Sequence, residues 1–374
     1  MAKQQSLETL NVGIVGAAGR GASFKSALGA YPGAKLLAIC DLREDQLLAA
    51  KEELGAVEVY VDYQQMIDRS SIDAVVIGTP MPFHAPQAIA ALDRGIHVLS
   101  EVTAGVSVDE CRALVQAAER SPAVYMMAEN YTYRKPNVLV KALVDRGLFG
   151  DLYYAEGEYL HELKQHNEVT PWRRRWQTGI DGITYGTHSL GPILKWMAGD
   201  RVERVCCEGS GHHYRDPRGD LYENQDSCVM LGKTRNGALI KVRVGMLSER
   251  PHAMTNYTLQ GTRGCYESAR ARGEHGRIWL AEVCEDANKW INLDELEEEY
   301  LPEIWRNPTE ATLKSGHGGG DSLEVQDFLN SIINGTPCPI GIHEAMDMTL
   351  PGLVSQESIR DGGSWKVVPD SRDW

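Results

Sequence analysis

Three features that define whole classes of protein are missing from this sequence of 374 residues. No stretch approaches the run of about 20 apolar residues that crosses a bilayer, and the first ten residues lack the apolar run of a signal peptide. The eight cysteines include no C-x-x-C pair, so neither a zinc knuckle nor a disulfide framework is indicated. We therefore expect a cytoplasmic protein with reduced thiols.

Positive charge is also scarce. Lys and Arg total 38 against 52 Asp and Glu, which gives a net charge of −14. A surface of this sign opposes binding to nucleic acid or to anionic lipid. The adjacent pair His212 and His213 lacks metal-ligand spacing and further ligands nearby, so no metal site is predicted. A small molecule is the expected partner.

The pattern of apolar residues divides the chain into two parts. The first 130 residues alternate short β-rich runs with helical stretches, which predicts a doubly wound parallel sheet with strands at 12–15, 36–40, 57–61, 74–77, 97–99 and 124–127. Residues 131–374 carry long β-prone segments without regular helical crossovers, which predicts a C-terminal α+β domain with a large open, mostly antiparallel sheet. Two late helices, 321–333 and 342–360, are expected to pack back against one of the domains.

The first predicted strand opens into a glycine-rich turn that suits a nucleotide. Glycines permit the tight turn and close backbone approach that a pyrophosphate needs at the start of a helix. The second strand ends at Asp41, whose carboxylate accepts ribose hydroxyls and repels a 2′-phosphate. Arg43 is a possible partner for such a phosphate and leaves NADP open. We predict a Rossmann domain that prefers NAD, with contacts from Gly16, Ala18, Gly19, Arg20, Gly21 and Asp41.

The order of the following motifs resembles the Gfo/Idh/MocA family of NAD(P)-dependent sugar and cyclitol enzymes. These motifs are Ile77-Gly78-Thr79-Pro80, Phe83-His84, the segment Gly95–Glu101, and later Gly147–Gly150 and Pro337–Pro339. The resemblance implies an NAD-binding domain at 1–130, a substrate-binding and oligomerisation domain at 131–374, a nicotinamide at the domain junction, and a homo-oligomer, dimer or tetramer. It also implies cofactor contacts from Thr79, Pro80, His84, Glu101 and Asn130.

One departure from that family changes the expected chemistry. Where the family typically has Glu-Lys-Pro, this chain reads Glu101-Val102-Thr103, and a valine cannot move a proton. The segment Tyr185-Gly-Thr-His188-Ser-Leu-Gly-Pro192 instead resembles the family 109 type of NAD-dependent glycosidase. Tyr159-Leu160-His161, Trp172-Arg173 and Gly316–Gly319 are similar to that branch too.

This resemblance implies a redox-neutral glycosidase with tightly bound, recycled NAD. Such enzymes oxidise a sugar transiently at C3, remove the C2 proton, eliminate the aglycone, add water and reduce the ketone again. His188 is our candidate for the C3 hydroxyl proton because imidazole titrates near neutrality, and Tyr185 is the candidate for the C2 proton. The structural alternative is that Thr187 caps a helix and that His188 is a buried, hydrogen-bonded core residue.

Further side chains are candidates for sugar binding, since aromatic faces stack on pyranose rings and arginine forks bind anions. They are Tyr131, Tyr159, His161, Trp172, Arg173 and His317. A carbohydrate or glycoside, with or without an anionic group, is therefore the expected ligand. The alternatives are ordinary packing for the tyrosines, a solvated or oligomer-facing role for Arg174 and Arg175, and a plain capping loop at 316–320 with Asp321 as the helix N-cap.

Two other functions are compatible with the sequence. A conventional NAD-dependent sugar dehydrogenase could use His188 in place of the missing lysine, and a noncatalytic sugar or nucleotide sensor could keep the fold without turnover. Tyr185 and His188 together favour catalysis over the sensor. The sugar, its anomer and the aglycone are left open by the sequence.

Overall fold

The computed structural model describes residues 9–251 and 254–374, and its chain divides into two compact units. The first unit comprises residues 9–133 together with Pro308–Met346 and Ser371–Trp374. The second comprises Arg134–Asn307 and Asp347–Asp370. The segment around the 316–320 loop thus belongs to the same unit as the glycine turn.

The strands and helices follow in chain order. The strands are β1 Leu10–Val15, β2 Ala34–Cys40, β3 Glu58–Tyr60, β4 Ala74–Ile77, β5 His97–Glu101, β6 Tyr125–Ala128, β7 Leu152–Leu160, β8 Val202–Gly209, β9 Cys228–Thr234, β10 Leu239–Gly245, β11 Thr255–Gly261, β12 Gly264–Glu267, β13 Arg277–Leu280, β14 Ile291–Asn292 and β15 Lys366–Val367. The α-helices are α1 Lys25–Gly29, α2 Glu44–Leu54, α3 Tyr63–Arg69, α4 His84–Leu92, α5 Val108–Arg120, α6 Lys135–Asp145, α7 Lys164–Val169, α8 Pro171–Trp176, α9 Thr187–Trp196, α10 Glu297–Tyr300, α11 Glu303–Arg306, α12 Glu310–Lys314, α13 Gly320–Asn334 and α14 Ile342–Arg360. Short 3-10 helices lie at Arg20–Phe24, Met81–Phe83, Asn130–Tyr133, Leu293–Leu296, Gly316–Gly319 and Ser371–Asp373.

The first unit contains a six-stranded parallel sheet in the order β3-β2-β1-β4-β5-β6. Every residue of β4 is buried, as expected for a parallel strand covered on both faces. Side-chain caps define the starts of two covering helices, since Asp62 accepts from the N–H of Gln65 and Ser107 accepts from that of Glu110. The predicted doubly wound sheet is confirmed. Strand order reverses between β1 and β4, which is where such sheets bind ligands.

The second unit contains a nine-stranded sheet in the order β14-β13-β12-β11-β7-β10-β9-β8-β15. All described pairings are antiparallel except that of β7 with β10, so the predicted mostly antiparallel sheet is confirmed. Helix α9 packs on β7, β10 and β11, and α6 packs on α9. Trp196 anchors this layer: its ring meets Tyr257 and Tyr266 edge-on, and its indole N–H donates to the Asn137 carbonyl at 3.0 Å.

The start of α13 differs from the expectation. The helix begins at Gly320, and Gly319, with a φ of 101°, occupies the N-cap position, so the assignment of Asp321 as N-cap was wrong. The physical reason is that the Asp321 carboxylate bonds to Arg20 and His317 instead of to its own helix. Within residues 9–251 and 254–374, none of the helices combines the length and apolar character needed to cross a bilayer.

Candidate active site

The glycine turn that follows β1 packs closely against the backbone that follows β4. Gly16 has a φ of 80°, and a Cβ placed on it would lie 2.5 Å from the Gly78 carbonyl oxygen. A Cβ on Gly78 would likewise lie 2.5 Å from the backbone nitrogen of Gly21. Side chains at these positions would push apart the ends of β1 and β4, where strand order reverses. Gly19, in contrast, has room for a Cβ, whose nearest neighbour would be 3.5 Å away.

Asp41 lies at the end of β2, beside this turn. One carboxylate oxygen accepts from the backbone N–H of Ala18 at 2.9 Å, and the Arg43 guanidinium donates to both oxygens at 3.0 and 3.1 Å. Burial alone would raise the pKa of Asp41, but the hydrogen bonds from Arg43 and Ala18 outweigh it and hold that pKa below its ordinary value. Asp41 is therefore ionised, and its two oxygens accept hydrogen bonds from the Arg43 guanidinium.

The predicted cofactor residues after β4 are fixed by bonds inside the first unit. Thr79 Oγ1 donates to Gln87, and Pro80 leads into the 3-10 helix at Met81–Phe83. The His84 ring nitrogens lie 2.7 Å from the Thr79 carbonyl oxygen and 2.8 Å from that of Thr103. Burial lowers the pKa of His84 against the effect of these two carbonyls. His84 thus ties the ends of β4 and β5 together.

Arg20 is the centre of a charged cluster in the first unit. Its Nε lies 2.6 Å from Glu101, its Nη1 lies 3.1 Å from Asp321, and Nη1 also donates to Ser23. Burial opposes the charge of Arg20, but Glu101 and Asp321 raise its pKa above the ordinary value. The remaining nitrogen, Nη2, is buried and finds no hydrogen-bond partner among the residues described. A buried donor of this kind needs a partner, and an anion would satisfy it.

Another carboxyl group, Glu324, interacts electrostatically with this cluster, and its side chain is fully buried. Both of its oxygens lack a hydrogen-bond partner within the described chain. Burial, followed by the charges of Asp321 and Glu101, raises the pKa of Glu324 well above its ordinary value. Asp321 has the opposite shift, because the bond from His317 and the charge of Arg20 outweigh burial and lower its pKa. These shifts favour the ionised form of Asp321 and the neutral form of Glu324 one turn later.

Two predicted sugar-binding residues lie near that cluster. The His317 and Tyr131 rings are 5.8 Å apart, and His317 Nδ1 lies 2.8 Å from Asp321. Asn130 precedes Tyr131, and its Oδ1 is buried with no partner in the described part of the first unit. Asn130, Tyr131 and His317 thus share one region with Arg20.

The second unit brings four of the other predicted residues together. The rings of Tyr159, Tyr185 and His188 are mutually 5.1 to 5.4 Å apart between centroids. His161 joins them, with its Nδ1 3.0 Å from the Tyr159 hydroxyl. Tyr159 and His188 are buried, whereas Tyr185 and His161 are half-buried. We call these four side chains the aromatic cluster; it combines stacking faces with two imidazoles and two phenols.

The aromatic cluster is shaped by the packing of α9 on β7. A Cβ on Gly157 would lie 2.7 Å from the Ser189 carbonyl oxygen, so the absence of a side chain allows the helix to approach. Tyr159 follows two residues later on the same strand face and meets His188. The Tyr257 hydroxyl also fixes α9 by donating to the His188 carbonyl at 2.5 Å. Thr187 starts α9 without capping it, and its buried hydroxyl has no partner among the described residues.

The arginines on α8 differ in how they are held. Arg173 stacks on Trp172 with 4.5 Å between the guanidinium carbon and the ring centroid, and donates to Gln177. Arg174 pairs with Glu223 and lies over the ring of Tyr222, so its charge is already matched within the unit. The Arg173 Nε is buried and has no partner in the described chain.

Three contributors to these clusters were not identified from the sequence: Asp321 as a bridging group, Glu324 and Tyr257. A signal existed for the two acids, because Asp321 and Glu324 are spaced three residues apart on a helix face that also carries Phe328. Charged residues on a buried face are rare unless paired. No group of three or more His, Cys, Asp or Glu side chains within residues 9–251 and 254–374 is arranged to hold a metal ion.

Comparison with known proteins identifies the family. The model for the oxidoreductase family with an NAD-binding Rossmann fold, Gfo/Idh/MocA, matches residues 10–129, and that for the glycosyl hydrolase 109 C-terminal domain matches residues 133–373. A glycosyl hydrolase family 109 protein from Saccharopolyspora erythraea is 30% identical over 97% of this chain and 83% of its own length. The chain belongs to glycosyl hydrolase family 109. A relative from a Shewanella species shows the same identity over 97% of this chain and 85% of its own.

The fold of this family 109 chain is shared with sugar dehydrogenases. A levoglucosan dehydrogenase solved with NADH and levoglucosan superimposes with a TM-score of 0.80 at 22% identity, covering 96% of this chain and 100% of the other. The Bordetella pertussis WlbA dehydrogenase, solved with NADH and UDP-GlcNAcA, gives 0.80 at 22% identity over 98% and 99%. The first unit is an NAD-binding Rossmann domain, and its glycine turn, the Asp41 carboxylate and the orphaned Arg20 Nη2 fit a dinucleotide.

Proposed function

We propose that this family 109 chain is an NAD-dependent glycosidase that works without net oxidation or reduction of its substrate. The observation that carries the proposal is the aromatic cluster, which gathers Tyr185 and His188 within a family 109 C-terminal domain. The buried Val102 follows Glu101 where the related dehydrogenases typically have a lysine, so proton transfer must come from other side chains.

The cofactor is NAD, tightly held and recycled. When bound, it supplies removal of a hydride from a ring carbon of the sugar and its later return. Asp41 would accept its ribose hydroxyls, and the glycine turn would receive its diphosphate. No net oxidant is consumed.

His188 and Tyr185 manage the protons in this proposal. His188 accepts the C3 hydroxyl proton as that carbon becomes a ketone, and the ketone acidifies C2. Tyr185, as the phenolate, takes the C2 proton, the electron pair forms a C1–C2 double bond, and the aglycone leaves with its bonding electrons. The hydroxyl of a water molecule then adds at C1, and its other proton goes to the aglycone oxygen. Tyr185 returns a proton to C2 after exchange with solvent, and His188 returns its proton to the C3 oxygen as the ketone is reduced. The sum is glycoside plus water giving sugar plus aglycone, a route distinct from the paired carboxylates of ordinary glycosidases.

The sugar is bound by aromatic faces and hydroxyl-binding imidazoles. Tyr159 and His161 of the aromatic cluster serve this role. If the sugar carries an anionic group, Arg173 is a better partner than Arg174, because Arg174 is already paired with Glu223. Trp172 supports the Arg173 guanidinium by stacking.

A panel of aryl glycosides tests this function. The enzyme is incubated with each glycoside, and aglycone release is measured alongside NADH. We expect release that continues for many turnovers with no NADH accumulating, and NAD that copurifies with the protein. The competing function is a sugar dehydrogenase, favoured by the NADH-bound dehydrogenases that share this fold. It would give NADH in proportion to the sugar oxidised, with the glycosidic bond intact.

A further inference from the structure

A strained loop in the first unit carries more than a sugar contact. His317 has a φ of 55° and is the non-glycine residue with a positive φ among those described; Gly318 and Gly319 follow at 70° and 101°. Left-handed backbone is unfavourable for a non-glycine residue. Such a conformation persists only where surrounding contacts hold it, and strain of this kind is concentrated at functional sites.

The contact that holds His317 is the Asp321 carboxylate. Its side chain has no exposed surface, and one oxygen lies 2.8 Å from His317 Nδ1. The loop is shaped around this carboxylate, since a Cβ on Gly316 would come within 2.2 Å of its other oxygen. A Cβ on Gly320 would lie 2.9 Å from the Asn130 carbonyl, so the loop is also pressed against the residue before Tyr131.

The other oxygen of the same carboxylate binds the glycine turn. It lies 3.1 Å from Arg20 Nη1, across a sequence separation of 301 residues. Arg20 belongs to the turn that receives the dinucleotide, and its Nη2 is buried without a partner among the described residues. A diphosphate oxygen would supply the missing acceptor and complete the contacts of the guanidinium.

We propose that Asp321 is a positioning residue that couples dinucleotide binding at the glycine turn to the conformation of the 316–319 loop. The proposal rests on the NAD-dependent function proposed above. The diphosphate fixes Arg20, Arg20 fixes the Asp321 carboxylate, and the carboxylate keeps His317 in its left-handed conformation beside Tyr131. Without the dinucleotide, the half-buried Arg20 is held less firmly and the loop opens more often. Sugar contacts from His317 are thus formed once the cofactor is in place.

Hydrogen exchange with and without NAD⁺ tests this coupling on the full-length protein after any copurified NAD has been removed. Peptides spanning 316–320 are followed by mass spectrometry, while NAD⁺ binding is measured separately by calorimetry. In the wild type, saturating NAD⁺ should slow exchange in this loop about tenfold, within the usual range of coupling between sites. Asp321→Asn should still bind NAD⁺ through the rest of the turn but lose this NAD⁺-dependent slowing. Glu310→Gln removes an exposed carboxylate from α12 and should behave as wild type.

A second variant breaks the same bond from the other end. His317→Asn keeps a residue that tolerates left-handed backbone but cannot reproduce the imidazole contact, so it tests the coupling even if Asp321→Asn fails to fold. It too should bind NAD⁺ without slowing loop exchange. A purely structural role would speed exchange equally with and without NAD⁺, so the NAD⁺-dependent difference is the deciding quantity.

The outcomes separate the two proposals. A wild-type protein that binds NAD⁺ with no change in loop exchange overturns the coupling and leaves the cofactor assignment intact. Either variant also overturns the coupling if NAD⁺ still slows exchange in its 316–320 loop as much as in the wild type. A wild-type protein that neither copurifies with NAD nor binds added NAD⁺ in calorimetry contradicts the proposed function itself.

Discussion

The charged cluster of the first unit and the aromatic cluster of the second use different physical means. Around Arg20, formal charges are buried and matched by Glu101 and Asp321 at 2.6 and 3.1 Å. Around His188, the contacts are ring edges and faces, with centroids about 5 Å apart. The first arrangement suits a charged, tightly held ligand. The second suits a neutral sugar whose protons must move.

The two clusters should also respond differently to substitution. Removing one partner of a buried ion pair leaves an uncompensated charge and is costly. Removing one ring from the aromatic cluster leaves space that water or sugar can occupy. Substitutions in the charged cluster should therefore impair the stability of the first unit, and substitutions in the aromatic cluster should impair turnover.

The largest effect is expected from His188→Ala. This change removes the imidazole assigned to the C3 hydroxyl proton, and general acid–base catalysis contributes about 10²–10⁴-fold to rate. Aglycone release should fall by that factor, while NAD⁺ affinity measured by calorimetry should not change. His275→Ala is the matched control, because His275 is an exposed histidine of the same unit that pairs with Asp294. Full turnover in His188→Ala would remove the catalytic assignment.

Asp41→Ser is expected to weaken NAD⁺ binding about tenfold or more, since hydrogen bonds to charged groups contribute about 1.5–3 kcal/mol. The same change releases Arg43, whose guanidinium is held by both Asp41 oxygens. NADP⁺ affinity should therefore rise in calorimetric titrations. Glu52→Gln, an exposed change on α2, should alter neither affinity. An unchanged preference for NAD⁺ over NADP⁺ would exclude Asp41 as the discriminating residue.

Glu324→Gln should change how stability depends on pH. Burial and the charges of Asp321, Glu101 and Glu129 raise the folded-state pKa of Glu324, against the opposing effect of Arg20. As pH rises above the unfolded value near 4.3, the unfolded chain loses a proton that the folded chain keeps. Rising pH therefore favours unfolding, by about 1.4 kcal/mol per pH unit, until the folded-state pKa is reached.

Glu324→Gln lacks this titration, so its free energy of unfolding should increase relative to that of the wild type as pH rises above about 5. Denaturant melts at a series of pH values above about 5 measure the difference. Glu310→Gln, an exposed carboxylate of the same unit, should follow the wild-type profile. Parallel curves for Glu324→Gln and wild type would show that Glu324 is not held neutral.

The smallest effect is expected from Tyr257→Phe. It removes the hydroxyl that donates to the His188 carbonyl at 2.5 Å, a contribution of about 1 kcal/mol to the free energy of unfolding. Turnover should fall a few-fold while KM for the glycoside stays near the wild-type value. Tyr266→Phe is matched, because Tyr266 packs against the same Trp196 ring. Equal effects of the two changes would assign no special role to Tyr257.

Much of the fold could be predicted because its signals are local. The buried run of β4, the glycine turn after β1 and the acid at the end of β2 are each readable within a few residues. The pairing of Tyr185 with His188 is also local, at a separation of three. Tyr159 joins them only because β7 and α9 pack together at Gly157, which no local pattern specifies.

The Asp321 bridge could not be predicted for the same reason. Its partners include a residue 301 positions away, and local pattern favoured a cap role instead. The helix starts one residue earlier because Gly319 adopts a φ that most side chains disfavour. That frees the carboxylate for Arg20 and His317.

Cleavage of the glycoside by elimination and addition around a transient ketone requires the C2 hydrogen to exchange with solvent, and the isotope content of the released sugar measures that exchange. The holoenzyme is incubated with a cleavable aryl glycoside in D₂O, and the released sugar is analysed by NMR. We expect deuterium at C2 of the product, with no NADH accumulated. A released sugar that carries only hydrogen at C2 would contradict it.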